Sequence, residues 1–222
     1  MRTCNAVAIL ALVSGQAMAE APTREELRAM TEQTQGVAQA SLGTFARLLT
    51  PENAPRMGLR APNEATQARL GAPLVDHIIG LTDLQAYDGT RDPAALLRRS
   101  DQVVYPVLVD GTPRASTIVA RQGNEWRAVS FGSPVATGAS EAARRAIARD
   151  AAPGAAPAET FQVRVPALNL VFVGRNDGGT LLLTPTVDVP DLGLMAGRTE
   201  PAREVLQRLV PLARAQDPSL PR

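Results

Sequence analysis

Leu27, Met30, Thr34, Val37, Ser41, Phe45 and Leu48 recur at steps of three and four residues. That is the 3.6-residue period of an amphipathic helix with one face turned to a core. Thr23-Arg24-Glu25-Glu26 stands ahead of the stripe as a capping box. Its Thr hydroxyl can accept from the backbone N–H three residues on, and Glu26 can reach back. The helix is expected to end by Thr50-Pro51, because the residue before proline avoids helical dihedrals. Pro51, Pro55 and Pro62 mark a loop, after which Asn63 predicts a short capped helix over Glu64–Leu70, closed by Gly71.

The period then shortens to two. In Pro73–Leu81, Val75, His77, Ile79 and Leu81 alternate, which favours a strand over the helix that Leu74, Ile78 and Leu81 would make. Asp92-Pro93 predicts a cap and a first-turn proline for a short helix running to Arg99. Gln102–Val109, Ala115–Arg121 and Glu125–Phe131 are β-rich runs separated by Asp110-Gly111 and Gln122-Gly123-Asn124, which predicts a three-stranded meander. Pro106 lacks a ladder donor, so its strand is expected at an edge or bulged there.

Ser140–Asp150 reads as a capped helix with a thin apolar face of Ala143, Ala146 and Ile147. Ala151–Glu159 is Ala- and Pro-rich and is the best linker candidate. Strand patterns return at Thr160–Val165, Leu168–Val173 and Thr180–Thr184. The last two flank Asn176-Asp177-Gly178-Gly179, whose residues tolerate the positive φ of a tight hairpin. Thr199–Ala215 predicts a final helix burying Val205, Leu206, Leu209 and Leu212, kinked or shortened at Val210 by Pro211.

The fold class that follows is α+β. A mainly antiparallel sheet (three-stranded meander, helix, further hairpin) carries a long N-terminal helix and a C-terminal helix. Helices gathered on one face would leave the other for solvent, a ligand or a partner.

The first nineteen residues carry a different signal. Arg2 precedes an eight-residue apolar core, Ala6–Val13, and Ala17-Met18-Ala19 presents small residues before Glu20. This is the pattern of a secretory signal peptide cleaved after Ala19, too short in its apolar part to span a bilayer. The expected organisation is a signal at 1–19, a helical segment at 20–71, an α+β domain at 72–216 and a frayed tail at 217–222. The expected destination is the periplasm or the medium. Cleavage would remove Cys4, the single cysteine, and with it disulfide, thiolate and Cys-ligated metal chemistry.

Composition narrows the chemistry further. Of 222 residues, 23 are basic and 22 acidic, and every basic residue is Arg. Without Lys there is no Schiff-base or Lys-base enzyme and no Walker-type phosphate loop. A net charge of +1 with one Trp, two Tyr and four Phe argues against nucleic-acid binding. Arg98-Arg99 and Arg144-Arg145 are small clusters flanked by acids, which reads as solvated surface.

His77 is the sole histidine, so any Ser-His-Asp triad must use it, with Asp76 or Asp83 nearby and Ser116, Ser130 or Ser133 brought in by folding. Phe131-Gly132-Ser133-Pro134-Val135 comes nearest to a nucleophile elbow but lacks its second glycine. One histidine does not make a zinc site. Asn176-Asp177-Gly178 and Asp188-Val189-Pro190-Asp191 are the richest oxygen clusters, and they read as a turn and a loop rather than as metal sites. No metal and no cofactor are expected.

Tyr105, Trp126 and Phe131 fall on neighbouring strands and are the candidate ligand-binding aromatics. The scarcity of reactive side chains leans against an enzyme. The expectation is an exported, non-enzymatic α+β protein that binds a protein partner or a small ligand through its sheet. A periplasmic hydrolase using acidic residues, with or without His77, is the first alternative. An edge-strand inhibitor or intramolecular chaperone is the second.

Overall fold

The computed structural model describes residues 21–150 and 159–216. The expected signal peptide, most of the Ala/Pro-rich stretch and the expected frayed tail lie outside the described residues.

Helix α1 spans Arg24–Leu48. Both arms of its capping box form: Glu26 N donates to Thr23 Oγ1 over 3.2 Å, and Thr23 N donates to Glu26 Oε2 over 2.8 Å. The buried stripe is Leu27, Met30, Thr34, Ala38, Ser41 and Phe45. Its two hydroxyls meet polar groups on the sheet, Thr34 Oγ1 with Tyr105 OH at 2.7 Å and Ser41 Oγ with Thr117 Oγ1 at 3.1 Å. Those pairs let a helix with alcohols in its apolar stripe pack on a strand surface without leaving a buried donor unmet.

Among the described residues nine strands form one sheet: β1 (Arg69–Leu70), β2 (Leu74–Ile79), β3 (Leu97–Val109), β4 (Thr112–Gln122), β5 (Glu125–Gly132), β6 (Thr160–Val165), β7 (Leu170–Asp177), β8 (Thr180–Pro185) and β9 (Glu200–Pro201). Their order is β5-β4-β3-β2-β6-β7-β8-β9, with β1 also paired to β3. Among the described residues there are three more α-helices: α2 (Leu81–Gln85), α3 (Pro134–Arg149) and α4 (Ala202–Arg214). The α+β class holds, but the sheet is mixed, because β2 and β6 run parallel at its centre with His77 opposite Val163. β2 is therefore flanked on both sides, and only Ile78 of Leu74–Ile79 escapes full burial. Its apolar run with no clean alternation is that of a strand covered on both faces.

Several local expectations change. The segment at 63–70 is a 3₁₀ turn over Pro62–Gln67 followed by β1, not an α-helix to Leu70. Asp92 does cap, accepting from Ala94 N over 2.9 Å, but the turn stops at Leu96 and the chain enters β3, so Arg98 and Arg99 lie on a strand. β3 is internal. Pro106 is tolerated there because it lies opposite the break between β1 and β2, beside a register shift at Val107/Leu108. α4 continues past Pro211 to Arg214, since a proline one turn from a helix end removes a bond only there. Its buried face ends in Val210 and Ala213, while Leu212 is 40% exposed.

Helices cover both faces of the sheet, not one. On the first face, α1 and α4 close a core that includes Val103, Tyr105, Val119, Phe161, Val163, Phe172 and Leu183. On the second, α3 crosses the strands, and its C-terminal half seats Ala143 and Ile147 on Leu74 and Val173. α3 starts at Pro134, six residues before the expected Ser140, because proline is pre-set for the first helical position. That early start brings the N-terminal half of α3 over the sheet.

Candidate functional site

Between that half of α3 and the second face of the sheet lies a cleft of about 540 Å³. Its floor is Leu74, Val104, Pro106 and Ile118, with Val171 at the far end. Thr137, Ala139 and Ser140 of α3 form its wall. Val135, 85% exposed, and Val187, 47% exposed, stand at its mouth. Apolar walls with a few placed polar groups are the usual make-up of a small-molecule site.

Besides the hydroxyls of Ser116, Ser133, Thr137, Ser140 and Thr186 and the amide of Asn169, the polar groups are Gln162 and Arg164, neighbours of like parity on β6. Side chains alternate along a strand, so Phe161, Val163 and Val165 enter the core while Gln162 and Arg164 take the opposite face. Asp76 comes to the same place from β2, through the parallel pairing that sets it opposite Gln162. Asp76 is 0% exposed. Its Oδ1 accepts from Gln162 Nε2 over 2.9 Å and from Arg164 Nε over 2.8 Å. Its Oδ2 accepts from Ser100 Oγ and from Arg164 Nη2, and Ser100 also donates to the Asp76 carbonyl. The carboxylate is thus surrounded by donors, as a buried charge must be. The hydrogen bonds that it donates to Asp76 raise the pKa of the Arg164 guanidinium, outweighing the opposing effect of burial. Arg164 Nη1 has no acceptor among the described residues, and the side chain keeps 31% exposure at the cleft.

The expected aromatic site lies elsewhere. Tyr105 is 1% exposed and its hydroxyl also donates to Thr31 O over 3.2 Å. Trp126 Nε1 donates to Gln33 Oε1 over 3.3 Å, with Arg121 4.9 Å above the ring. Phe131 packs on Phe45 with centroids 5.7 Å apart. All three residues contact α1 on the first face, and none lines the cleft.

Ser133 occupies a strand-to-helix turn in left-handed conformation, φ 56° and ψ 50°, at the rim of the cleft. The resemblance to a nucleophile elbow stops there. His77 is the next residue after Asp76 on β2 and turns to the other face, edge-on to Phe161 with centroids 5.1 Å apart. It lines a separate cleft of about 310 Å³ with Glu26, Met30, Arg99 and Asp101. Glu26 is held there by the capping box and Arg99 pairs with Asp101 at 3.3 Å. His77 Nδ1 is buried without a hydrogen-bond partner among the described residues. Burial lowers the pKa of His77, and the charge of Asp76 only partly offsets this.

A pH prediction follows. His77 takes up its proton more readily unfolded than folded, so the unfolded chain binds more protons just below the ordinary histidine range. Stability is complete above that range and falls as pH drops through it. His77→Gln should remove this slope. Melting curves between pH 7.5 and 5 should show the gap between wild type and variant closing as pH falls. A gap that stays constant would mean that His77 titrates normally in the folded protein.

The oxygen clusters serve the backbone. Asn176 Oδ1 accepts from Gly179 N over 3.0 Å in the β7–β8 hairpin, and Asp188 Oδ1 accepts from Ala196 N over 2.7 Å. The arginine pairs are partly neutralised, Arg98 by Asp83 at 2.8 Å and Arg144 by Glu141 at 2.9 Å. Among the described residues, no group of three or more His, Cys, Asp or Glu is placed to hold a metal ion, and no helix is long and apolar enough to cross a membrane.

Sequence pattern named Asp76 only as a possible triad partner of His77 and did not single out Gln162 and Arg164. The available signal was a charged residue inside the apolar run Leu74–Ile79, which only a buried partner makes tolerable. Comparison with known proteins finds no matching family, no similar characterised protein and no similar solved structure.

Proposed function

We propose that this is an exported binding protein whose ligand is a small, largely apolar organic molecule held between α3 and the sheet. Export rests on the apolar core Ala6–Val13 and on Ala17-Met18-Ala19. Binding rests on one observation: a 540 Å³ apolar cleft with a single half-buried guanidinium at its floor, oriented by a fully buried carboxylate. A guanidinium there gains nothing for the core, since a hydrophobic residue in place of a buried ion pair is often as stable or more so. Its remaining N–H donors suit a ligand that brings an acceptor into an otherwise apolar site. The sheet is the binding surface in this reading, through its second face rather than its aromatics.

The test uses the solvatochromic dye Nile red, a neutral, mostly apolar molecule with a carbonyl acceptor. Wild-type protein should bind it saturably at one site, with the blue-shifted emission of an apolar environment. Ala139→Trp places a large side chain in the wall of the cleft. It should weaken binding by roughly tenfold or more, about 1.4 kcal/mol, with little change in melting temperature. Saturable binding unaffected by Ala139→Trp, or no binding by wild type, would remove the cleft from consideration.

A further inference from the structure

The charge arrangement beneath the cleft bears on the class of ligand, and this step rests on the reading above. Arg164 is the sole charged residue among those lining the cleft. Its charge is already matched by Asp76, against which it places Nε and Nη2. Asp76 in turn is closed off by Gln162 and Ser100 and is 0% exposed. The buried unit is therefore neutral, yet it still offers the N–H donors of Nη1. An anionic head brought to Nη1 would leave a net negative charge in an apolar cleft, beside a carboxylate that cannot move into water. Burying an uncompensated charge is far more costly than burying a hydrogen-bonded neutral group.

One feature acts in the opposite sense. The first turn of α3 has unsatisfied N–H groups and no acidic residue, and helix N-termini favour anions. That turn lies at the mouth, where Val135 is 85% exposed, so water screens its field.

We infer that the cleft selects neutral molecules with an apolar body and a carbonyl-type oxygen acceptor, esters and ketones for example, over the corresponding carboxylates. The guanidinium acts as a hydrogen-bond donor and not as a counter-ion. The selectivity belongs to Asp76, a positioning residue that does not itself line the cleft. Neutralising Asp76 would free the charge of Arg164 and shift preference toward the acid.

The experiment is displacement of Nile red at pH 7 by methyl decanoate and by decanoate, each below its aggregation limit. On wild-type protein, methyl decanoate should displace the dye at least about tenfold more effectively, a difference of about 1.4 kcal/mol. Asp76→Asn keeps the size of the side chain and an acceptor for Arg164, and it should shrink or reverse that ratio. Decanoate equal to or better than the ester on wild type overturns the inference while leaving cleft binding intact. Failure of both compounds to displace a dye that Ala139→Trp does displace also overturns it. A dye that never binds the cleft refutes the underlying reading instead. If Asp76→Asn does not fold, the wild-type ratio decides alone.

Discussion

Asp76→Ala is expected to lower the unfolding free energy by about 3–5 kcal/mol, with the lower end favoured because Arg164 keeps 31% exposure. The substitution removes a carboxylate that accepts from Gln162, Ser100 and Arg164, all at the junction of the two halves of the sheet. Gln162 and Arg164 then lose their acceptor, Ser100 keeps only the backbone carbonyl of residue 76, and the guanidinium remains in an apolar cleft without a counter-charge. Asp76 and Gln162 sit opposite each other in the parallel β2–β6 pair. The loss should therefore be felt as loosening of the centre of the sheet and not only as a lower melting temperature. Urea titration gives the free energy, and hydrogen exchange at Asp76–Ile78 and Gln162–Arg164 reports where the loosening occurs. A cost below about 1 kcal/mol would put this pair among ordinary surface ion pairs and deny it a structural role.

The second large effect is expected at Phe161. Phe161→Ala should cost about 3–5 kcal/mol, the range for truncating a buried aromatic when the cavity only partly collapses. Phe161 is 0% exposed, and its ring lies over Gly174, where a Cβ would come within 2.6 Å of Cε2. It also meets the His77 ring edge-on. Gly174 on β7 is thus a packing glycine that makes room for the ring. No neighbouring side chain from that position can fill the space once the ring is gone. Chemical denaturation should show the loss with an unchanged denaturant slope. Nile red affinity should stay near wild type under native conditions, because Phe161 faces away from the cleft. A stability loss under about 1.5 kcal/mol would show that the first-face core repacks freely.

Local pattern was a good guide wherever the physics was local. The capping box at Thr23–Glu26 and the turn at Asn176–Gly179 formed as read, and so did the helical stripe from Leu27 to Phe45, except that Ala38 is buried while Val37 is half-buried and Leu48, at the stripe's end, is exposed. Each depends on neighbours within a few residues, where dihedral preferences and side-chain to backbone bonds act directly. Errors of extent arose where a signal was local but the outcome was not. Asp92 capped a turn, yet the residues after it were drawn into β3 by pairing with β2. Pro211 lies in α4 because Val205, Leu206, Leu209 and Ala213 seat that helix on the core. Tertiary burial outweighs a propensity of a few kcal/mol.

The strand alternation of Thr160–Val165 divided its residues between two faces, with Phe161, Val163 and Val165 on one and Gln162 and Arg164 on the other. It carried no statement of what either face would meet. Periodicity reports which side chains share a side of a strand, and it is silent about the neighbouring strand and the covering helix. The parallel pairing of β2 with β6 joins positions 86 residues apart. The passage of α3 across the second face places a helix where the pattern left an open surface. Both are choices made by the summed burial of the whole chain. The cleft exists because of them, as does the neutral Asp76–Arg164 unit beneath it: two residues that nothing in the sequence connects become one site when folding removes water from between them.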